Sequence, residues 1–123
     1  MIKGAVLVVD DEALIRMDLV EILQDRGFPT YEADNAAEAI AILEKHDEIR
    51  VVFPDIQMPG RMDGVELAHY VRKRWPPTVL IVCSGNRTPS NGSLPSACSF
   101  IAKPFERRYL GGLLDNVREQ IKA

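Results

Sequence analysis

The chain has 123 residues, 46% of them hydrophobic and 27% charged, with a net charge of −3. That size and balance describe a single globular domain with its own core, expected to occupy residues 1–123. The acidic balance argues against a phosphate-binding nucleic-acid surface, and no apolar run approaches the ~20 residues that span a bilayer.

The first apolar run, Ala5 to Val9, is too short for a signal-peptide core and runs into Asp10, Asp11 and Glu12. A cytoplasmic protein with no membrane partner is expected. Cys83 and Cys98 fit that compartment as small buried thiols.

Taken in order, Ala5–Val9 is a continuous β-branched run and predicts a buried strand. Ala13 to Arg26 carries Ile15, Leu19, Ile22 and Leu23 at helical spacing, with Gly27 as the stop. Thr30–Ala33 predicts a short second strand, and Asp34 or Asn35 caps a helix through Ala36, Ala39, Ile40 and Leu43. Arg50–Pro54 is the third strand. Asp63 caps a helix with Val65, Ala68 and Val71 inward, ending before Pro76-Pro77. Thr78–Cys83 and Ser99–Ala102 are the fourth and fifth strands, and Tyr109–Ile121 is a last amphipathic helix.

Strands alternating with helices imply a parallel sheet covered on both faces. The expected fold is α/β: a flavodoxin-like, doubly wound three-layer sandwich with strand order 2-1-3-4-5. That order sets the first and third strands side by side, so Asp10 and Asp11 face Asp55 just beyond the strand ends. Each acid alone reads as a helix cap or a turn former. Three together repel one another, and a hard cation such as Mg²⁺ relieves the conflict. Ser84 and Lys103 end the fourth and fifth strands, a hydroxyl and an ammonium suited to an oxyanion, with Gly85 leaving space for it.

Asp10-Asp11, Asp55, Met58-Pro59, Asp63-Gly64, Ser84, Phe100 and Lys103-Pro104 occur in the order that resembles response-regulator receiver domains of two-component signalling. The resemblance covers essentially the whole chain and implies a stand-alone receiver. It implies that Asp55 accepts a phosphoryl group from a histidine kinase or a phosphotransfer protein. Asp11, Asp55 and the carbonyl of Gln57 would hold Mg²⁺, with Asp10 acting through water. Ser84 and Phe100 would form the switch pair, and Lys103 would bind the phosphoryl group. Gln57 and Asn86 would flank the path of attacking water and set the lifetime of the phosphorylated state. A downstream protein partner is expected, with the chain itself a monomer or weak homodimer and not an enzyme beyond its own phosphorylation and dephosphorylation.

Four features depart from the family pattern. Pro54 removes a strand N–H. Gly60-Arg61-Met62 lengthens the following loop. Asn86–Ala97 contains Pro89, Gly92 and Pro95, so the fourth helix is expected to be short or degenerate. Gly111-Gly112 is expected to interrupt the last helix. Arg72-Lys73-Arg74 reads as a solvated helix end, His46 and His69 as surface residues on helices, Trp75 as a core anchor, and Met17 and Met62 as packing residues.

A flavin module would need a phosphate loop where this chain has three acids. A haloacid-dehalogenase-like phosphatase would space its acids by one residue. The remaining alternative is an unphosphorylated pseudo-receiver that acts as a protein-binding module, an idea prompted by Pro54.

Overall fold

The computed structural model describes residues 4–58, 60, 62–85 and 93–122. The elements are β1 (Ala5–Val9), α1 (Ala13–Asp25), β2 (Thr30–Ala33), α2 (Ala36–Lys45), β3 (Ile49–Pro54), α3 (Gly64–Arg74), β4 (Val79–Ser84), β5 (Cys98–Ala102) and α4 (Arg107–Lys122). The five strands form one sheet in the order β2-β1-β3-β4-β5, and every neighbouring pair is parallel. This is the flavodoxin-like sandwich that the alternation of elements implies.

Side chains alternate across the sheet and create two cores. Val6, Val8, Val51, Phe53, Ile81 and Ile101 face Leu19 and Leu23 of α1 and Leu110, Leu114 and Val117 of α4. Leu7, Val9, Val52, Leu80 and Val82 face Ala39 and Leu43 of α2 and Leu67 and Val71 of α3. The apolar stripes read from the sequence are largely the buried stripes, with Ile15, Ile40, Val65 and Leu113 only partly covered.

Local signals fix the helix ends. The Asn35 side chain accepts from the Glu38 N–H and caps α2. Asp63 and Glu66 form a reciprocal capping box at the start of α3. Gly27 adopts φ 87° after α1, a left-handed conformation that favours glycine, and its N–H closes on the Gln24 carbonyl.

Pro54 faces β4 with its missing donor. The Asp55 N–H donates to Val9 on one side and the Ile56 N–H to Cys83 on the other, each at 2.9 Å. The ladder to β4 pairs Val51 with Val79 and Val52 with Leu80, then resumes only at Asp55 with Cys83. The alternation assigns the Ile81 carbonyl to residue 54, and that carbonyl instead receives the Cys83 thiol at 3.7 Å. The ladder skips one bond, and the backbone that carries Asp55 is tied on both sides.

Several expectations need correction. Gly111 and Gly112 do not interrupt α4, which runs unbroken from Arg107 to Lys122. A β-carbon on Gly111 would lie 2.3 Å from Arg26 Nη2, so its lack of a side chain admits that guanidinium, while Gly112 faces open space. Arg72 is no solvated helix end: its guanidinium donates to the carbonyls of Pro76, Thr78, Ser96 and Ala97. His69 is an exposed residue of α3 as expected, with its Nε2 2.6 Å from the Ser93 carbonyl, whereas the half-buried ring of His46, at the C-cap of α2, stacks on Tyr31 at 4.4 Å. Met17 is 59% exposed rather than buried in a core, and Cys98 is only half-buried. In keeping with the expected degenerate fourth helix, residues 93–97 contain no helix and Ala97 has φ 56°, while residues 86–92 lie outside the described residues. Asn86, Pro59 and Arg61 lie outside the described residues.

Candidate functional site

The site lies at the carboxyl ends of β1, β3 and β5, where an open parallel sheet binds its ligands. Asp10 follows β1 directly, and its N–H donates to the Ala33 carbonyl at the end of β2. Asp55 follows β3 and is pinned between Val9 and Cys83 as described. Lys103 follows β5, and its N–H donates to the Ser84 carbonyl at 3.0 Å. Three strand ends thus deliver two acids and a cation to one spot.

The Lys103 ammonium lies 2.6 Å from Asp10 Oδ2 and 3.3 Å from Asp55 Oδ2, with Glu12 Oε1 at 3.7 Å. Asp10 and Asp55 are both buried, whereas Asp11 is exposed. The second oxygen of Asp10 accepts the Glu12 N–H at 2.9 Å. One oxygen from each of Asp10, Asp11 and Asp55 falls within 4.8 Å of the others.

Electrostatics follow from that crowding. Burial pushes the Asp55 carboxyl up to about 6, the Lys103 cation pulls it back, and the Asp10 charge adds to the rise. Burial works against the charge on Lys103, but Asp10 and Asp55 outweigh it and hold the ammonium above its ordinary range. Burial likewise raises the thiol of Cys83, beneath the site. That leaves Cys83 a packing residue rather than a nucleophile.

The loop after Asp55 is held close. The Gly64 N–H donates to the Ile56 carbonyl at 3.0 Å, and a β-carbon on Gly64 would stand 2.0 Å from the Asp55 carbonyl oxygen. Glycine is the residue that lets α3 start against the acid-bearing strand. In the sequence Asp63-Gly64 is visible only as a motif, because the backbone that forbids a β-carbon there comes from a different element. Gly85, by contrast, lies in no tight place: a β-carbon there would touch Lys103 only at 3.7 Å.

Of the remaining candidates, Ser84 is buried at the end of β4 and Phe100 is half-buried in β5, packed against the α2–α3 side of the sheet. Gln57 is exposed. A cleft of about 530 Å³ is lined by Asp55, Gln57, Gly85 and Lys103 and also by Leu14 and Phe105. Sequence reasoning missed these two apolar lining residues. Their signal was present: Leu14 lies off the stripe of Ile15, Leu19, Ile22 and Leu23, and Phe105 directly follows Lys103-Pro104.

Comparison with known proteins agrees with this geometry. The family model described as "Response regulator receiver domain" matches residues 6–115. The chain is 34% identical over 122 residues to sensor kinase CckA of Brucella abortus, covering 96% of this chain and 13% of that protein. It is 36% identical over 103 residues to transcriptional regulatory protein PdtaR of Mycobacterium tuberculosis, covering 81% of this chain and 49% of that protein. The chain thus spans at most about half the length of these relatives. The receiver domain of NtrX from Brucella abortus superimposes with a TM-score of 0.80 at 33% identity, covering 93% of this chain and 98% of that one. A CheY-like receiver from Methanospirillum hungatei gives 0.84 at 24% identity and 98% and 97% coverage, which speaks to the fold alone. Strand order, acidic cluster and family match converge: this chain belongs to the response-regulator receiver domain family of two-component signalling.

Proposed function

We propose that residues 1–123 act as a phosphoacceptor domain, in which Asp55 takes a phosphoryl group from a histidine kinase or a histidine phosphotransfer protein. The observation that carries this reading is the lysine shared by two acids: Lys103 lies 2.6 Å from Asp10 and 3.3 Å from Asp55, at the floor of an open cleft. A carboxylate at about 6 is mostly ionised at neutral pH, so Asp55 is available as a nucleophile. One of its oxygens attacks phosphorus as the P–N bond of the phosphohistidine breaks. The imidazole leaves with that electron pair and takes a proton.

The donor set fits a hard cation, because three carboxylates each bring an oxygen within 4.8 Å of the others. Asp11, Asp55 and the Gln57 carbonyl would hold Mg²⁺, with Asp10 joined through water. Bound there, the ion would offset the repulsion of the acids and the charge on the phosphoryl oxygens. Lys103 would bind the phosphoryl group as a point charge. Ser84 and Phe100 would pass its presence to the surface of β4 and β5, and Gln57 and Asn86 would tune its lifetime.

The chain's own activity is then limited to gaining and losing this group, and its output is contact with a downstream protein. Among the described residues no helix is long and apolar enough to cross a membrane. Incubation with acetyl phosphate and Mg²⁺, followed by intact mass, tests the reading. The native chain should gain one phosphoryl adduct and Asp55→Asn none. A native chain that gains none would favour the unphosphorylated binding module instead.

A further inference from the structure

Asp11 is the exposed member of the acidic cluster, so its position rests on the backbone that carries it. That backbone is held at the peptide joining Asp10 to Asp11. Arg16, one turn into α1, donates from Nη1 to the Asp10 carbonyl at 2.6 Å. Its Nε donates to Glu32 Oε1 on β2 at 3.0 Å. The Arg16 side chain is only 19% exposed, and the bond to the carbonyl is partly buried. Asp10 also donates its own N–H to Ala33, the neighbour of Glu32. Asp10 is therefore gripped on both sides of its backbone, by β2 directly and by β2 through Arg16.

We propose that Arg16 is a positioning residue for the metal site, fixing the Asp10–Asp11 peptide so that both carboxylates point at the ion, with Glu32 holding the guanidinium in place. The proposal rests on the phosphoacceptor reading above and deepens it. Arg16 touches neither ion nor phosphoryl group and acts through the peptide. Arginine suits the task because its planar fork serves two acceptors at once, whereas a lysine ammonium is a single point charge.

The sign of the effect separates positioning from simple electrostatics. Arg16 is a cation near a cation site. If charge alone mattered, Arg16→Met would relieve repulsion and tighten Mg²⁺ binding, and Arg16→Lys would leave it unchanged. If Arg16 positions the peptide, Arg16→Met weakens binding despite removing the positive charge, by about tenfold for one lost charge-assisted hydrogen bond. Arg16→Lys then falls between Arg16→Met and the native protein.

The experiment is calorimetric titration of the phosphate-free protein with MgCl₂ alone, at fixed ionic strength. Native protein, Arg16→Met, Arg16→Lys and Glu32→Gln are compared, with Arg74→Met, which pairs with Glu44 away from the site, as the control. The proposal expects weaker binding in Arg16→Met, a smaller loss in Arg16→Lys and Glu32→Gln, and no change in Arg74→Met. Tighter or unchanged binding in Arg16→Met overturns it, including the case where only the melting temperature falls. Glu32→Gln leaves Arg16 in place and serves if Arg16→Met does not fold; unchanged binding there also overturns the proposal. Failure of the phosphoacceptor reading shows elsewhere, as a native protein that binds no Mg²⁺, and it removes this proposal with it.

Discussion

Gly64 sits so close to Asp55 that a β-carbon on it would lie 2.0 Å from the Asp55 carbonyl oxygen, 2.5 Å from the carbonyl carbon and 2.8 Å from Ile56 Cα. All three obstacles are backbone, so no rotamer change relieves the clash. The start of α3 and the end of β3 form one packed unit, and the acid inherits its rigidity.

Gly64→Ala should therefore destabilise the fold by roughly 1–3 kcal/mol, the usual cost of overpacking. Gly112→Ala meets nothing within 4 Å on a helix and should stabilise by about 1 kcal/mol. Denaturant unfolding of the two variants checks the pair. Equal effects would show that the contact at Gly64 is not tight.

The buried carboxyl gives a pH signature. Asp55 in the folded chain binds its proton near pH 6, above its ordinary value of 3.8. The folded state thus takes up that proton before the unfolded state does. Stability from this group is present below about pH 4 and is lost as pH climbs to about 6. In metal-free buffer, Asp55→Asn should be more stable than the native chain at neutral pH, by on the order of 1–3 kcal/mol. The difference should shrink as pH falls through this window. A difference that does not vary with pH would show that the carboxyl is not held up by its burial.

Pro54→Val restores an N–H directed at the Ile81 carbonyl. A net hydrogen bond gives about 0.5–1.5 kcal/mol, and losing the proline's restriction of the unfolded chain takes back about 0.4–1 kcal/mol. Net stabilisation should stay under about 1 kcal/mol, and phosphorylation should proceed in both proteins. If only the valine variant is phosphorylated, Pro54 marks a pseudo-receiver.

Arg72 joins α3 to the turn that leads into β4 and to the segment that leads into β5. Arg72→Met leaves the carbonyls of Pro76, Thr78, Ser96 and Ala97 without this donor. A loss of about 2–3 kcal/mol is expected, from bonds of the charged kind. Amide exchange at residues 94–98 should accelerate in Arg72→Met. Unchanged exchange there would show that the segment supports itself.

Where the sequence was legible, one local signal agreed with one packing requirement. β1 and β2 carry the bounds read from the sequence, and Asn35, Asp63 and Gly27 end their helices by chemistry visible in a few residues. Asp10, Asp55 and Lys103 were legible because strand order alone brings strand ends together. What stayed hidden depends on distant partners. Gly111 reads as a helix breaker until Arg26, far away in sequence, is seen to fill its place. Arg72 reads as solvent-facing until Ser96 and Ala97 are found on its guanidinium, and the exposed His69 shows no partner until Ser93 is found beside it. Arg16 looks like any polar residue on an amphipathic helix until the Asp10 carbonyl and Glu32 are found at either end of its guanidinium.

The central claim is that one carboxylate, Asp55, carries the phosphoryl group, and locating the group on the chain tests it most directly. The protein is phosphorylated with acetyl phosphate and Mg²⁺, reduced with borohydride to convert an acyl phosphate to the alcohol, and mapped by peptide mass spectrometry. The account predicts homoserine at position 55 and unchanged aspartate at positions 10 and 11. Reduction at Asp10, Asp11 or any other acid, with Asp55 unchanged, would contradict it.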